Sequence, residues 1–344
     1  MRKLSLNTVF NKRSGFIAGI EEKYKAELSL LDEIYDLGRP MSSEMTSSSR
    51  MQRLFEGILL FSCVRTVCAI ESIVFLLALG NSAETALIFR SVFETLINIL
   101  YIDKDPDRRS LLFARHEVSD ALKYFNRLIH PYVSLEQLPG DIVLPSPVCH
   151  SIRYDRKKQQ LLFDGAMSEN DSIHLLELSQ DPAYRKAVER LFQGSIKPEE
   201  VKGVAQTISS LKKQLSFYDS EIDSEFAGLK IPSGHSWSGK QIREMAEAVD
   251  LGSAYDTMYW ELSGITHFSA SSNLFFLQHD PMEKRLVPKF YPNDTISRRI
   301  IRSSADYSLR ILKLVNKRMG CEKELQIRQL ENRLPTLLEK PEYS

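Results

Sequence analysis

The 344-residue chain lacks a net charge, because its 45 lysines and arginines equal its 45 aspartates and glutamates. A neutral chain has no overall positive field to hold it on nucleic acid, so an RNA partner would need a local basic patch. The four cysteines form neither a CxxC pair nor a Cys/His ligand pattern. We therefore expect buried free thiols in a reducing cytoplasm, with no zinc site and no disulfide framework.

Several catalytic signatures are also missing. The chain has no GxxxxGK[ST] phosphate loop, no GxGxxG after a strand, no HExxH and no Glu-x-x-His pair of the di-iron bundles. ATP hydrolysis and metalloprotease activity are not expected, and no metal or other cofactor is predicted. The N-terminus is basic but lacks the continuous apolar run of a signal peptide, which also favours a cytoplasmic protein.

One segment has the length of a membrane-spanning helix. Residues 57–80 are largely apolar, but Arg65 and Glu71 lie inside this segment. A charged side chain at the centre of a bilayer costs about 2.5 kcal/mol or more. The segment is therefore predicted to be a core helix, and no membrane partner is expected.

Apolar residues recur at helical spacing along most of the chain, which predicts an all-α fold. Two apolar helices, at 51–79 and 83–101, are expected at the centre of a multi-helix bundle. A first helix at 15–37 is predicted to stop at Gly38-Arg39-Pro40 and to be followed by a Ser/Thr-rich loop. Further helices are predicted at 106–130, 182–192, 198–226, 240–251, 253–269, 295–317 and 322–339.

The pattern also predicts a division of the chain. An N-terminal helix and linker are expected at 1–49, a helical core at 50–132 and 230–320, an insertion at 133–229 and a C-terminal helix and tail at 321–344. The insertion is predicted to begin as an irregular, proline-rich connection and to continue as a long helix. Residues 274–291 fit either a short β-hairpin or an extended loop.

The apolar helix at 83–101 carries a polar face. Arg90, Glu94 and Asn98 are four residues apart, and Tyr101 follows on the same side. A buried unpaired charge would cost several kcal/mol, so Arg90 and Glu94 are expected to be paired. A salt bridge that only fixes the register of packed helices would explain this pair without any further function.

A second stripe lies on the predicted helix at 253–269. Its members repeat every four residues and comprise Tyr255, Tyr259, Ser263 and His267. If this helix faces the polar face of the helix at 83–101, Arg90 and His267 could meet in one pocket with Trp237 as an apolar wall. The alternative is that the tyrosines and the histidine are ordinary core residues.

Three motifs, in order, resemble a bacterial family classified as domain of unknown function 5677. They are an Arg-Ser-x-x-Glu helix followed by a tyrosine, a tryptophan loop before a Met/Ala-rich helix, and a Tyr-x-x-x-Ser-x-x-x-His helix. The resemblance covers roughly residues 50–130 and 230–275 and implies no activity. It singles out as site residues Arg90, Glu94, Tyr101, Trp237, Tyr259, Ser263 and His267.

A weaker likeness to HEPN-type helical defence and toxin proteins predicts a metal-independent endoribonuclease. Such sites combine a histidine acid/base with an arginine that stabilises phosphorane charge, usually across a dimer. The local arginine is missing here, because Glu261 and Leu262 stand in its place, so Arg90 would supply the charge. The predicted catalytic residues are Arg90, Glu94 and His267, and the predicted substrate-binding residues are Tyr101, Trp237, Tyr259 and Ser263.

A basic helix near the C-terminus is the predicted RNA-binding patch. It carries few acids, and its arginines are Arg298, Arg299, Arg302 and Arg310. A solvated helix face would explain the same pattern without a ligand. The expected partners are RNA, a second copy of the chain joined through the 198–226 helix or the terminal helices, and another defence or antitoxin protein.

The sequence thus favours an RNA-cleaving or RNA-binding effector of a bacterial defence or toxin type. Two alternatives stay open. The first is a non-catalytic module in which Arg90 and its neighbours hold a small anionic ligand such as a nucleotide, or in which the outer helices hold a protein. The second is a structural bundle with a buried polar network.

Overall fold

The structure is a computed structural model that describes most of the helical chain. The described residues are 17, 19–47, 53–134, 151–158, 160–164, 180, 182, 186, 192, 198–222, 237–266, 277–280, 285–288 and 294–338. Within these ranges the chain is mainly helical, which confirms the predicted fold class. The predicted helix at 182–192 falls almost wholly outside them.

The described ranges include nine helices whose bounds agree closely with the sequence pattern except in the first. They are α1 (Lys25–Ser47), α2 (Leu54–Ala78), α3 (Ser82–Asp103), α4 (Pro106–Ile129), α5 (Pro198–Glu221), α6 (Ile242–Ala248), α7 (Gly252–Thr266), α8 (Asp294–Met319) and α9 (Glu324–Leu338). Five short strands accompany them: β1 (Tyr132–Ser134), β2 (Ser151–Asp155), β3 (Gln160–Asp164), β4 (Leu277–Asp280) and β5 (Arg285–Pro288).

The chain divides into two compact units. The first comprises residues Met1–Ser110 and Ile231–Ser344, and the second comprises Leu111–Lys230. The first unit holds α1 to α3 and α6 to α9, together with the start of α4. The boundaries predicted from the sequence differ in detail and stay a prediction.

Helix α1 continues where the sequence predicted a stop. It runs through Gly38-Arg39-Pro40 to Ser47, so the predicted Ser/Thr-rich loop is wrong for residues 42–47. The reason is tertiary: Met41 and Met45, beyond the proline, are buried. An interior proline costs a helix about 3 kcal/mol. Burying each methionine contributes roughly 1.5–3 kcal/mol, which offsets that cost.

The core of the first unit is built around α8. This helix packs against α1, α2, α3 and α9. Tyr307 of α8 stacks on Phe89 and Phe93 of α3, with ring centroids 5.8 and 5.0 Å apart. Tyr255 of α7 reaches Phe93 from another side, at 6.4 Å. The basic helix of the sequence therefore has a wide buried face, although its charges first suggested a surface element.

A buried ion pair joins α1 to α8. The Glu27 side chain is 5 % exposed, and its Oε1 lies 3.3 Å from Arg298 Nη1 and 3.3 Å from Arg302 Nη2. Arg302 is almost as buried, at 8 %. The attraction between the carboxylate and the two guanidinium groups offsets the free-energy cost of removing these charges from water. If one of the groups is removed, a buried charge is left without its partner.

The two apolar helices differ in how much they bury. By length and composition alone, Leu54–Ala78 and Ala83–Asp103 could each cross a membrane, and 50 % and 61 % of their most apolar windows are buried inside the protein. Most of α3 is enclosed, whereas α2 packs on α1, α3 and α8 and leaves one face exposed. That face includes Phe61, Val64 and Phe75.

The cysteines of the helical core lie in different surroundings. Cys63 and Cys321 are buried, whereas Cys68 is exposed, so the expectation that all the thiols are buried is wrong for Cys68. Burial raises the pKa of the Cys63 thiol to about 12, and the neighbouring Cys321 adds to the rise. Cys149 lies outside the described residues.

The second unit contains a three-stranded antiparallel sheet in the order β1-β2-β3. The sequence predicted that the insertion begins here as an irregular segment, which is wrong for residues 133–134, 151–155 and 160–164. Tyr154 faces Leu161 in the register of the β2–β3 hairpin. The Asp155 carboxylate accepts hydrogen bonds from two backbone N–H groups of the turn, each at 3.0 Å. The available signals were the apolar alternation in β2 and the short apolar run in β3.

In the first unit, β4 and β5 pair as an antiparallel hairpin, in which Leu277 faces Pro288. This confirms the hairpin alternative at residues 277–280 and 285–288. In the second unit, Arg115 of α4 bonds Asp219 of α5, with Nε and Oδ1 2.6 Å apart.

We expect Glu27→Gln to lower the free energy of unfolding by about 3 kcal/mol, because two buried or half-buried guanidinium groups lose their carboxylate. The matched control is Glu33→Gln in the same helix. Glu33 pairs with Arg333 at the surface, where such pairs contribute less than about 1 kcal/mol. Urea unfolding followed by circular dichroism measures both variants. Equal losses would contradict a special role for Glu27.

Gly38 sits where α1 approaches α2 and α8 closely. A Cβ at this position would lie 2.6 Å from Cγ2 of Val67. We expect Gly38→Ala to destabilise the protein by roughly 1–3 kcal/mol despite the better helix propensity of alanine. Gly57 has open space around it, so Gly57→Ala should instead stabilise by about 0.5–1 kcal/mol. The shift of the thermal midpoint distinguishes the two signs.

Candidate functional site

The polar face of α3 holds an ion pair at its centre. Arg90 Nε lies 2.8 Å from Glu94 Oε1, and the two side chains are 19 % and 35 % exposed. The pairing expected from the four-residue spacing is therefore present. Both charges reach the solvent, so a dissolved anion can approach them.

The Arg90–Glu94 bond joins two residues of one helix. The structural alternative, in which the pair fixes the register of packed helices, stays a prediction. Partly exposed pairs of this spacing add only about 0.3–0.5 kcal/mol to helix stability. The Arg90–Glu94 bond therefore contributes little to the free energy of unfolding.

A second guanidinium lies beside the pair. Arg65 of α2 donates from Nε and Nη2 to the Ser91 hydroxyl, at 3.2 and 2.9 Å. Sequence reasoning had treated Arg65 only as a charge that disfavours a membrane span. The presence of a charged residue inside an otherwise apolar helix was the sequence feature that could have indicated a role for Arg65 at the surface. We use the name α3 polar strip for the partly exposed residues Arg90, Ser91, Glu94 and Asn98.

At the far end of the α3 polar strip, Trp237 binds the helix. Its Nε1 donates to Asn98 Oδ1 at 2.9 Å, and its ring meets Tyr101 edge to face with centroids 5.9 Å apart. Arg109 lies over the Tyr101 ring at 3.9 Å and donates to the Tyr101 carbonyl. Trp237 and Tyr101 are buried. This cluster ties Trp237 to α3.

Trp237 and Arg90 occupy different levels of α3. Asn98 is two turns beyond Arg90, which is about 12 Å along the axis. The structure therefore brings together Trp237, Asn98 and Tyr101, and separately Arg90 and Glu94. It does not show Trp237 as the wall of an Arg90 pocket.

Helix α7 runs antiparallel to α3. Ala248, just before α7, accepts a hydrogen bond from Lys104 at the C-terminal end of α3, and Tyr255 then reaches Phe93. The backbone of α7 therefore carries position 259 towards the level of Arg90. The side chains of Tyr259 and Ser263, and all of His267, lie outside what the structure describes, so a meeting of Arg90 with His267 stays a prediction.

The four arginines of the expected RNA patch do not share one solvent-facing surface. Arg302 is buried on Glu27, and Arg298 contacts the same carboxylate. Arg299 Nη2 lies 3.1 Å from the Met258 sulfur, and Arg310 pairs with Asp306 one turn before it. Contact with RNA stays a prediction for Arg298, Arg299 and Arg310, whereas Arg302 belongs to the core.

In the part of the chain that the structure describes, no group of three or more His, Cys, Asp or Glu side chains is placed to hold a metal ion. The hydrogen-bond donors of the α3 polar strip are the guanidinium, hydroxyl and amide groups of Arg90, Ser91 and Asn98. Its one carboxylate, Glu94, is paired with Arg90. This set suits an anion better than a cation.

Residues 56–144 match the model of a family of unknown function, DUF5677. The matched stretch contains α3 and with it Arg90, Glu94 and Tyr101. The likeness expected for residues 230–275 lies beyond it, and the HEPN likeness gains no support. No curated protein and no solved structure gives a significant match to the chain.

We expect Trp237→Phe to cost about 1–2 kcal/mol, because Asn98 Oδ1 loses the indole donor at the buried end of the α3 polar strip. A double-mutant cycle with Asn98→Ala isolates this bond. The coupling between the two substitutions, measured by urea unfolding, should be about 1 kcal/mol. Additive losses would show that the indole–amide bond contributes nothing.

Proposed function

We propose that the protein is a binding module whose α3 polar strip holds a small anionic ligand of the phosphate or nucleotide class. The observation that carries the proposal is the ion pair of Arg90 and Glu94, two partly exposed side chains of one helix face. A pair that adds little stability and reaches solvent is suited to recognition. An arginine guanidinium binds phosphate or carboxylate oxygens through paired N–H donors.

Glu94 has a defined part in this proposal. Its carboxylate holds the Arg90 side chain in place before a ligand arrives, and it occupies the anion-binding edge of the guanidinium. A ligand must therefore displace or share this contact. The neighbouring Ser91 hydroxyl, which accepts from Arg65, is a polar group that helps to orient an oxyanion.

The charge distribution favours a small ligand over a long nucleic acid. The chain is neutral overall, and three arginines of α8 contact the carboxylates of Glu27 and Asp306, namely Arg298, Arg302 and Arg310. Polyanion binding draws its affinity from many exposed cations that release counterions. A single paired arginine suits one phosphate group better. A cytoplasmic location and a dimeric state are part of the same proposal.

The test measures binding of inorganic phosphate and of AMP by isothermal titration calorimetry. Arg90→Gln should abolish binding, and Arg90→Lys should weaken it roughly tenfold because the planar fork is lost. Glu94→Gln should tighten binding severalfold, because the competing carboxylate is removed. Arg310→Gln, which changes another surface arginine in an i,i+4 pair, is the matched control and should bind like wild type.

A purely structural role for the pair predicts a different pattern. Arg90→Gln and Glu94→Gln would then lower the thermal midpoint equally, and neither would alter phosphate or AMP binding. Failure of the folded wild type to bind either anion would overturn the proposal.

A second candidate is the RNA-cleaving or RNA-binding effector of a defence or toxin type. The antiparallel course of α7 favours it, because this course brings position 259 towards the level of Arg90. In this hypothesis Arg90 binds the phosphate and His267 is the general acid/base. The remaining residues orient these two side chains and the substrate, and they are Glu94, Tyr101, Trp237, Tyr259 and Ser263. Labelled RNA incubated in EDTA with wild type, Arg90→Ala and His267→Ala tests it. Cleavage that both folded variants lose would favour the nuclease over the binding module.

A further inference from the structure

The exposed face of α2 has the spacing of an interaction helix. Phe61, Val64, Cys68, Glu71 and Phe75 follow one another at intervals of three or four residues, and all are exposed. Such spacing keeps them on one side of the helix. Phe61, Val64 and Phe75 expose 59 %, 42 % and 49 % of their surface. We call these five residues, together with Arg65, the α2 stripe.

An apolar row of this kind in solvent marks an interaction site. The row extends onto the neighbouring helix, where Leu87 is 40 % exposed. Arg65 reaches Ser91, one turn beyond Leu87, and so connects the two helices at this surface. The 25-residue α2 is about 37 Å long, which is enough for a helix-to-helix contact along most of its length.

We propose that the α2 stripe is the interface of a homodimer, in which α2 of one subunit packs antiparallel on α2 of a second copy. The proposal does not rest on the anion site, and it uses a different surface from the 198–226 helix and the terminal helices that the sequence suggested. A two-fold interface requires a surface that is complementary to itself. The α2 stripe has this property.

The charges on the α2 stripe determine the orientation. Arg65 lies three residues before Cys68, and Glu71 lies three residues after it. In an antiparallel pair centred on Cys68, Arg65 of each copy lies at the same level along the helix pair as Glu71 of the other copy. A parallel pair would place like charges together, which is unfavourable. The guanidinium has five N–H donors, so its two bonds to Ser91 leave donors for the carboxylate.

The apolar residues obey the same symmetry. Phe61 and Phe75 are each seven residues from Cys68, on opposite sides, so each phenylalanine meets the other across the two-fold axis. Val64 faces Ser72 of the second copy, and Cys68 faces its own counterpart. Burial of four phenylalanines removes the most exposed apolar side chains of α2 from water.

A charge swap tests the orientation directly. The full-length protein should be a dimer by sedimentation equilibrium, and R65E and E71R should each raise the dimer Kd roughly tenfold or more. The double variant R65E/E71R should restore the wild-type Kd. A mixture of R65E with E71R chains should form heterodimers, because every cross-subunit pair is then of opposite charge. Circular dichroism checks that each variant is folded.

Cysteine cross-linking tests the position of the axis. In a C149S background, copper phenanthroline should join two chains through Cys68, because the thiols face each other and are exposed. C68S should abolish the cross-link. Cys63 serves as an internal control, because burial raises its thiol pKa to about 12 and keeps it protonated and unreactive.

Three results would overturn the proposal. The first is a monomer up to submillimolar concentration. The second is a dimer whose Kd is unchanged by R65E and by F61S and which does not cross-link at Cys68, since the interface would then lie elsewhere. The third is a monomer that binds phospholipid vesicles through α2 and loses this binding in F61S, which would assign the α2 stripe to a membrane surface.

Discussion

The packing of α3 against α8 is the contact on which the rest of the helical unit depends. Phe89 and Phe93 stack on Tyr307, and α7 adds Tyr255 to the same aromatic group. Close-packed rings tolerate little rotation of the helices that carry them. These contacts fix which side of α3 is turned away from the rings, and that side is partly exposed. The α3 polar strip lies there.

The two proposed surfaces adjoin each other for the same reason. Arg65 belongs to the α2 stripe, yet it bonds Ser91, the residue after Arg90. A second copy that pairs Glu71 with Arg65 would therefore bring a charge close to the α3 polar strip. Association and anion binding would then influence each other through Arg65 and Ser91 rather than through a change of fold.

Residue spacing predicted much of the helical structure and part of the site. The bounds of α2, α3, α4, α6, α7, α8 and α9 follow from apolar periodicity and from end signals such as Asp105-Pro106. The i,i+4 spacing likewise predicted the Arg90–Glu94 pair, because both partners lie on one helix. Contacts between residues distant in the chain were not predictable. Trp237 was expected beside Arg90 but binds Asn98, and Arg302 was expected at the surface but binds Glu27.

The sequence by itself determined which segments are helical and which polar residues share a helix face, because both depend on neighbours three or four residues apart. The tertiary structure alone decided that α1 continues through Pro40, that Cys68 and Phe61 are exposed, and that Glu27 collects two arginines. Each of these outcomes depends on what another helix places opposite the residue. The free energy of burying Met41 and Met45, or of completing a buried ion pair, exceeds or offsets the local preferences that a sequence pattern expresses.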